Sequence, residues 1–217
     1  MLQDDSKGGN KMIVKVCGMR EAENIRLVDE IGGVDWMGFI FYPRSPRNVS
    51  TVPNYLPRQC KRVGVFVNSP IDDIAKRVDE FGLDFVQLHG NESPEYIFNL
   101  RNTIDENIKI IKMIQIETED DMRQTKRYEG LADYFLFETK CKGYGGSGKQ
   151  FDWDILQHYR YETPFLITGG IGAEDADKVL SFSHPKFIGI DLNSRFETSP
   201  AVKDAALIDK FIKQIKQ

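Results

Sequence analysis

Ile13–Arg20 is IVKVCGMR, an apolar strand that ends at a cysteine and runs into a turn with a single glycine. From there, apolar β-prone runs recur at intervals of roughly 20 to 30 residues, with helical patterns between them. Strands that alternate with helices pair in parallel through right-handed crossovers. An open doubly wound sheet, the main alternative, usually carries a glycine-rich fingerprint after its first strand, whereas Gly18 is alone in this turn. The pattern therefore predicts an α/β fold, a single closed (β/α)8 TIM barrel.

The same pattern gives approximate bounds for the predicted elements. Strands are expected at 13–17, 36–41, 62–67, 84–88, 109–115, 133–138, 165–168 and 187–191. Helices are expected at 21–31, 53–59, 70–81, 93–102, 118–130, 152–160, 173–182 and 202–216. Typical helix N-cap residues occur at Ser69, Ser93 and Asp152.

Composition excludes several functional classes. The chain has 217 residues, of which 41% are hydrophobic, and this is ordinary for one globular domain. A formal net charge of −4 argues against a nucleic-acid partner and against an anionic membrane surface. No apolar run approaches the roughly 20 residues that span a bilayer. Residues 1–11 are polar and predict a disordered N-terminal leader, so the barrel domain is expected over 12–217.

The cysteines indicate a reducing environment. Cys17, Cys60 and Cys141 are an odd number and are widely scattered, which predicts reduced thiols and a cytoplasmic location. No grouping of histidine, cysteine and aspartate has the spacing of metal ligands, so we expect no metal site.

Polar side chains collect where the predicted strands end, which is the face that carries the active site in barrel enzymes. They are Cys17 on the first strand, Arg47 after the second, Gln87 and His89 on the fourth, Glu138 on the sixth and Asp191 on the eighth. Because side chains alternate along a strand, Lys15 shares a face with Cys17, and Gln87 shares one with His89. Buried polar pairs cost free energy unless they have partners. This distribution of polar side chains favours a hydrated barrel interior that faces a ligand. The alternatives are that Cys17 is a small buried core residue and that His89 is a core histidine.

Two loops follow the last two predicted strands, at positions that form phosphate cradles in many barrels. The candidate phosphate-binding residues are Gly169, Gly170, Asn193, Ser194 and Arg195. For the two glycines, the alternative is a tight turn without a ligand.

Two further loops suggest functions of their own. Arg47 ends a segment stiffened by two prolines, and a guanidinium held in this way suits bidentate binding of a carboxylate; an unliganded surface arginine is the alternative. Gly143–Gln150, GYGGSGKQ, nearly matches the phosphate-binding loop of nucleotide triphosphatases, but Gln150 lacks the hydroxyl that holds Mg²⁺. A mobile glycine-rich loop over the barrel mouth fits this segment better.

Taken together, these segments resemble the phosphoribosylanthranilate isomerase family. The matching segments follow the family's order almost throughout residues 13–204. They are 15–18, 38–41 with 45–47, 63–68, 86–90, 145–148 with 151–153, 169–171, and 189–191 continuing to Glu197.

The resemblance implies an isomerase of tryptophan biosynthesis that acts on a phosphosugar substrate without a cofactor. The implied reaction is the Amadori rearrangement of N-(5-phosphoribosyl)anthranilate to 1-(2-carboxyphenylamino)-1-deoxyribulose 5-phosphate. The implied general base is Cys17, and the implied acid lies at the end of the sixth strand, where this chain has Glu138. Arg47 would hold the anthranilate carboxylate, and the phosphate would bind at the two loops named above. Further substrate contacts are expected from Gln87, His89, Gly145, Gly146 and Asp191.

The chain departs from the family pattern at two positions. Glu138 stands where an aspartate is expected, and its extra methylene moves the carboxyl by roughly one ångström, enough to lower a rate about 100-fold if the geometry does not adapt. Arg195 stands where a glycine is common, and it either adds charge to the phosphate site or crowds it. An alternative function follows from Glu138: the same barrel with impaired or lost catalysis, acting as a phosphosugar-binding protein.

Two lysines are relevant to an alternative reaction, indole-glycerol-phosphate synthesis, and one of them to the ionisation of the Cys17 thiol. Indole-glycerol-phosphate synthesis needs a catalytic lysine at a strand end, but Lys15 and Lys112, the lysines expected to point inward, lie deep within their strands. We also expect Lys15, or the positive charge of the site as a whole, to increase the thiolate fraction of Cys17. The sequence leaves open whether the protein is a monomer or a homodimer.

Overall fold

The computed structural model describes residues 12–139 and 152–216. Eight parallel strands close into a barrel in chain order, which confirms the predicted fold. The strands are β1 Ile13–Cys17, β2 Trp36–Ile40, β3 Lys61–Phe66, β4 Phe85–Leu88, β5 Lys109–Ile116, β6 Tyr134–Thr139, β7 Phe165–Ile167 and β8 Phe187–Leu192. The predicted leader at 1–11 and the glycine-rich loop with Gly145 and Gly146 lie outside the described residues.

Helices connect most of the strands. The α-helices are α1 Ala22–Asp29, α2 Ile71–Phe81, α3 Pro94–Arg101, α4 Ala176–Ser181 and α5 Ala205–Ile215. Short 3₁₀ helices cover Glu119–Arg127, Trp153–His158, Ala173–Asp175 and Ser194–Phe196. The connections predicted as helices at 118–130 and 152–160 are therefore of the tighter 3₁₀ type. No helix in the described segments combines the length and apolar character needed to cross a membrane.

Local hydrogen bonds account for the helix ends. Ser93 is confirmed as the N-cap of α3, because its Oγ accepts a hydrogen bond from the N–H of Tyr96 at 3.1 Å. Asp152 likewise accepts from the N–H of Asp154 at 3.1 Å. The prediction for Ser69 is wrong, since the N-cap position of α2 is Pro70 and no side chain caps it.

The helix predicted over 53–59 is wrong, because that segment is an irregular loop. Asp29 at the end of α1 accepts the backbone N–H groups of Arg58, Gln59 and Cys60 at 2.8, 3.0 and 3.1 Å. These donors are therefore bound to a carboxylate instead of to helical carbonyls. A proline at position 57 also disfavours a helix through this segment.

The last predicted helix, 202–216, begins later than expected. A two-stranded hairpin precedes it, formed by β9 Glu197–Ser199 and the antiparallel β10 Val202–Lys203. Asp204 then starts α5 by accepting the N–H of Leu207 at 2.9 Å. The hairpin places Glu197 and Lys203 beside the carboxyl end of the barrel.

The barrel interior changes character along its axis. Its amino-terminal half is filled by an apolar cluster of Trp36, Val63, Phe85, Ile111, Met113, Leu136 and Leu166. Its carboxyl half holds the buried polar side chains Lys15, Gln87, Glu138 and Asp191. The predicted wet interior is thus restricted to the end where the strands finish.

Lys112 does not belong to this interior, and the expectation that it points inward is wrong. Ile111 and Met113 on either side of it pack inside the barrel, so alternation turns Lys112 to the outside. Its ammonium is buried there against Glu92, with Nζ 3.0 Å from Oε2.

Candidate active site

A pocket opens at the carboxyl ends of the strands. Every predicted site residue in the described part of the chain lines it. They are Cys17, Arg47, Gln87, His89, Glu138, Gly169, Gly170, Asp191, Asn193, Ser194 and Arg195. Apolar side chains complete the wall, namely Ile40, Tyr42, Val65, Val67 and Ile171. The pocket therefore offers charged and hydrogen-bonding groups beside a surface that an aromatic ring can contact.

Cys17 is the last residue of β1 and is 3% exposed. Gly38 of β2 lies opposite it in register, and a Cβ at Gly38 would come within 2.8 Å of Sγ. The absence of a side chain at Gly38 therefore leaves room for the thiol.

A buried ion pair lies below the thiol. Lys15 of β1 and Asp191 of β8 are register partners, and Lys15 Nζ donates to Asp191 Oδ2 at 2.8 Å. The other carboxylate oxygen, Oδ1, is buried and has no hydrogen-bond partner among the described residues. Because Asp191 lines the pocket, this oxygen can accept a hydrogen bond from a bound ligand.

Burial dominates the electrostatics of this group. It raises the pKa of the Cys17 thiol above its ordinary value of 9.0, although the nearby Lys15 ammonium acts in the opposite direction. It also raises the pKa of Asp191, again against the attraction of Lys15. For Lys15, burial alone would lower the pKa, but attraction to Asp191 and Cys17 outweighs it and the pKa is raised. Lys15 therefore acts in the predicted direction and favours the thiolate, but desolvation outweighs it and the pKa of Cys17 is raised overall.

His89 connects two other predicted residues. The Nε2 atom of Gln87 lies 3.0 Å from Nδ1 of His89, and Nε2 of His89 lies 3.1 Å from Oε2 of Glu138. With the amide donating to Nδ1, the ring carries its hydrogen on Nε2 and donates it to Glu138. The alternative for His89, a core histidine whose ring is satisfied by the backbone, is wrong, because both ring nitrogens contact side chains at the pocket wall. The longer arm of Glu138 is therefore held by a defined partner.

Arg47 lies at the pocket wall but is already engaged by a carboxylate of the protein. Its Nε donates to Glu197 Oε1 at 2.8 Å, and its Nη2 donates to Oε2 at 2.6 Å. Glu197 also accepts a hydrogen bond from Lys203 Nζ, which lies 2.9 Å from Asn193 Oδ1. Sequence reasoning did not identify Glu197 and Lys203 as site partners, because the hairpin that brings them there was not predicted.

The pKa values of these three groups shift in different directions. The bond to Glu197 raises the pKa of Arg47. Burial would raise the pKa of Glu197, but the hydrogen bonds from Arg47 and Lys203 outweigh it and the pKa is lowered. Burial lowers the pKa of Lys203, and Glu197 opposes this shift.

The two predicted phosphate loops lie next to each other at the pocket mouth. Gly169 and Gly170, which follow β7, have φ of 95° and 69°, in the left-handed region that favours glycine. Asn193, Ser194 and Arg195 follow β8 and lead into a 3₁₀ helix. The Arg195 guanidinium forms an exposed ion pair with Glu174, so its charge is partly compensated by the protein. In the described segments, no group of three or more His, Cys, Asp or Glu side chains has a geometry that could hold a metal.

Comparison with known proteins gives one consistent result. Residues 14–214 match the family described as N-(5′-phosphoribosyl)anthranilate (PRA) isomerase. A relative of that name from Phocaeicola vulgatus is 52% identical over 206 residues, which cover 95% of this chain and 98% of the relative. One from Parabacteroides distasonis is 49% identical and covers 94% of this chain and 93% of its own.

Solved structures are similar over the same extent. Phosphoribosyl anthranilate isomerase from Thermotoga maritima superposes with a TM-score of 0.78 at 33% identity, covering 94% of this chain and 98% of its own. A second structure, of a phosphoribosyl anthranilate isomerase in complex with reduced 1-(o-carboxyphenylamino)-1-deoxyribulose 5-phosphate, has a TM-score of 0.77 at 31% identity, with the same coverage of both chains.

Proposed function

Because the chain belongs to the N-(5′-phosphoribosyl)anthranilate isomerase family, we propose that its pocket performs the Amadori rearrangement with Cys17 as general base and Glu138 as general acid. The product is 1-(2-carboxyphenylamino)-1-deoxyribulose 5-phosphate, an intermediate of tryptophan biosynthesis. One observation carries the assignment: a thiol on β1 and a carboxyl on β6 line one pocket, and no other cysteine of the described segments does.

The reaction needs two proton transfers. Protonated Glu138 delivers its proton to the ribose ring oxygen, so that the nitrogen lone pair opens the ring to a protonated imine. The Cys17 thiolate then removes the proton from C2, which gives an enol-amine that tautomerises to the ketone. One proton is added at oxygen and one is lost from carbon, so the product is an isomer of the substrate and the chain's own residues suffice.

The arrangement of the pocket supports an orientation of the substrate. The phosphate lies at Gly169, Gly170, Asn193, Ser194 and Arg195, and the anthranilate carboxylate lies at Arg47. The free oxygen of Asp191 accepts a hydrogen bond from a ribose hydroxyl. Gln87, His89, Gly145 and Gly146 are further proposed substrate contacts. Lys15 supplies the counter-charge for the thiolate, since its ammonium interacts with both Cys17 and Asp191.

The assignment is tested by following the fluorescence of the anthranilate substrate with Cys17→Ser and Glu138→Gln. Each variant is expected to lose at least about 100-fold in kcat, the usual contribution of one general acid or base. Cys60→Ser is the matched control, because Cys60 is also buried but its thiol bonds to the Val34 carbonyl. Unchanged turnover in both test variants would exclude the proposal.

Glu138→Asp separates an active enzyme from the alternative of a phosphosugar-binding barrel. The carboxylate of Glu138 is 3.1 Å from His89, and a shorter side chain withdraws it from this partner. We expect turnover to fall by about tenfold to 100-fold, as for an ångström-scale displacement. A large gain in turnover would instead show that Glu138 impairs catalysis.

The domain bounds, oligomeric state and location remain proposals. A chain that begins at Met12 is expected to keep full activity, since the predicted barrel domain is 12–217. Light scattering during gel filtration of the whole chain distinguishes a monomer from a homodimer. Fractionation of cells tests the predicted cytoplasmic location.

A further inference from the structure

Arg47 alone is poorly suited to attract a substrate carboxylate. Both atoms of its Nε–Nη2 edge bind Glu197, whose side chain is 4% exposed. An arginine paired one to one with a buried carboxylate presents no net charge to a ligand, because the two opposite charges cancel at the distance of the ligand. Some other group must restore the positive charge if Arg47 is to bind a carboxylate.

Lys203 is placed to do this. Its side chain is fully buried, which is unusual for a lysine and needs a charged partner. That partner is Glu197, on the oxygen that also accepts from Arg47 Nε, and the side-chain amide oxygen of Asn193 is 2.9 Å from the same ammonium. Lys203 does not line the pocket, so it acts on a ligand through its charge and through its contact with Glu197, not by touching the ligand.

The backbone around this cluster is built to hold it. Asn24 of α1 binds the main chain of Lys203 on both sides, with its amide donating to the carbonyl and its oxygen accepting the N–H, each at 2.8 Å. Gly18 lies at the junction, where a Cβ would be 2.7 Å from Cδ of Arg47 and 3.4 Å from Nζ of Lys203. A side chain at the turn after β1 would therefore displace the cluster.

We propose that Lys203 is a specificity-determining positioning residue, which neutralises Glu197 so that the cluster Arg47–Glu197–Lys203 holds one net positive charge toward the substrate carboxylate. Glu197 holds the Arg47 guanidinium in place, and Lys203 compensates the negative charge that Glu197 brings to the cluster. The inference rests on the proposed function, in which Arg47 contacts the anthranilate carboxylate.

The test uses two ligands that differ only in this carboxylate. One is reduced 1-(o-carboxyphenylamino)-1-deoxyribulose 5-phosphate, and the other is the same molecule with a phenyl group in place of carboxyphenyl. Dissociation constants are measured by calorimetry for the wild type, Lys203→Met and Arg47→Met. We expect Lys203→Met to weaken the carboxylated ligand by roughly 10- to 30-fold, as for loss of one charge in a partly buried site, and the phenyl ligand less than about twofold.

A charge-balanced double variant distinguishes this role from a purely structural one. Lys203→Met with Glu197→Gln again leaves Arg47 with one uncompensated charge, so we expect the preference for the carboxylated ligand to return. It also removes both buried charges together, which destabilises less than removing one, so it remains measurable if Lys203→Met alone does not fold. Lys112→Met, at a buried lysine outside the pocket, is the matched control and is expected to leave the preference unchanged.

The outcomes separate the inference from its premise. If Arg47→Met weakens both ligands equally, Arg47 does not bind the carboxylate and the premise is wrong. If Arg47→Met is selective but Lys203→Met weakens both ligands equally, or the double variant fails to restore the preference, the role of Lys203 is overturned while the proposed function stands.

Discussion

Lys15 and Lys112 form the same type of ion pair on opposite faces of the barrel wall. Each lies within a strand, each is buried, and each donates to a carboxylate, Asp191 at 2.8 Å for Lys15 and Glu92 at 3.0 Å for Lys112. Lys15 faces the interior of the barrel, whereas Lys112 lies between the barrel and its surrounding loops.

The two pairs differ in how completely they are satisfied. Glu92 accepts hydrogen bonds from the N–H groups of Asn68 and Gly90 besides Lys112, and Lys112 also donates to the carbonyl of Gly90 at 2.7 Å. Asp191 has only Lys15 on one oxygen, and its other oxygen has no partner in the described segments. A fully bonded pair holds loops together, while a partly bonded pair beside a pocket is available to a ligand.

The comparison is tested most strongly by removing each ammonium. Lys15→Met leaves Asp191 without its charged partner and Cys17 without a counter-charge, so we expect kcat/KM to fall at least about 100-fold and the unfolding free energy to fall by about 3–5 kcal/mol. Lys112→Met is expected to reduce the unfolding free energy, but to change kcat/KM less than about threefold. Steady-state kinetics and urea unfolding of both variants check this, and equal losses of kcat/KM would show that the two faces are not functionally distinct.

Alkylation of Cys17 reports the influence of each lysine on the thiol. The raised pKa predicts that the rate with iodoacetamide continues to increase with pH beyond 9.0. Because Lys15 lowers this pKa, Lys15→Met should move the profile to still higher pH and slow alkylation at neutral pH, where the thiolate fraction is smaller. Lys112→Met should leave the profile in place. The measurement uses a Cys60→Ala, Cys141→Ala background so that one thiol reacts, and coincident profiles for the two lysine variants would contradict the prediction.

The pH dependence of stability should have opposite signs for the two pairs. The folded-state pKa of Lys15 is raised above 10.5, so its contribution to stability is complete below that pH and is lost as pH rises through the folded-state value. The folded-state pKa of Lys112 is lowered below 10.5, the value of the unfolded chain. Between the folded-state and unfolded-state pKa values, the unfolded chain binds more protons than the folded protein, so stability increases with pH.

These signs are measured as the difference in unfolding free energy between the wild type and each methionine variant, from about pH 8 to about pH 11. Each slope is at most about 1.4 kcal/mol per pH unit. The difference in unfolding free energy between the wild type and Lys15→Met should become smaller at the alkaline end of this range. The difference between the wild type and Lys112→Met should become larger as the pH rises toward 10.5. Slopes of the same sign would contradict the assignment.

The smallest expected effect concerns the helix cap next to the Lys112–Glu92 pair. Ser93 follows Glu92 and caps α3, so Ser93→Ala should lower the unfolding free energy by about 1 kcal/mol through loss of one hydrogen bond. Its kcat/KM and its pH dependence of stability should match the wild type. A change in either would mean that local loosening near Glu92 reaches the pocket without any change of charge.

Much of the fold could be predicted from the sequence because it depends on short-range patterns. The eight strand positions agree with the structure to within a residue or two, since apolar runs of the right length mark buried parallel strands. The failed helix at 53–59 depends on Asp29, a partner far away along the chain. The shortened last helix depends on strand pairing between β9 and β10, for which the sequence has no strong turn signal.

The sequence by itself determined the strand–helix alternation, the residue types at the strand ends and hence the location of the pocket. Only the tertiary structure decided which lysine faces the barrel interior, because a parallel strand buried on both sides is apolar throughout and its pattern does not show which face is inside. Only the tertiary structure brought Glu197 and Lys203 to Arg47. The contact between Arg47 and Glu197 joins residues 150 positions apart in the chain, and burial in the folded barrel raises the pKa of the Cys17 thiol.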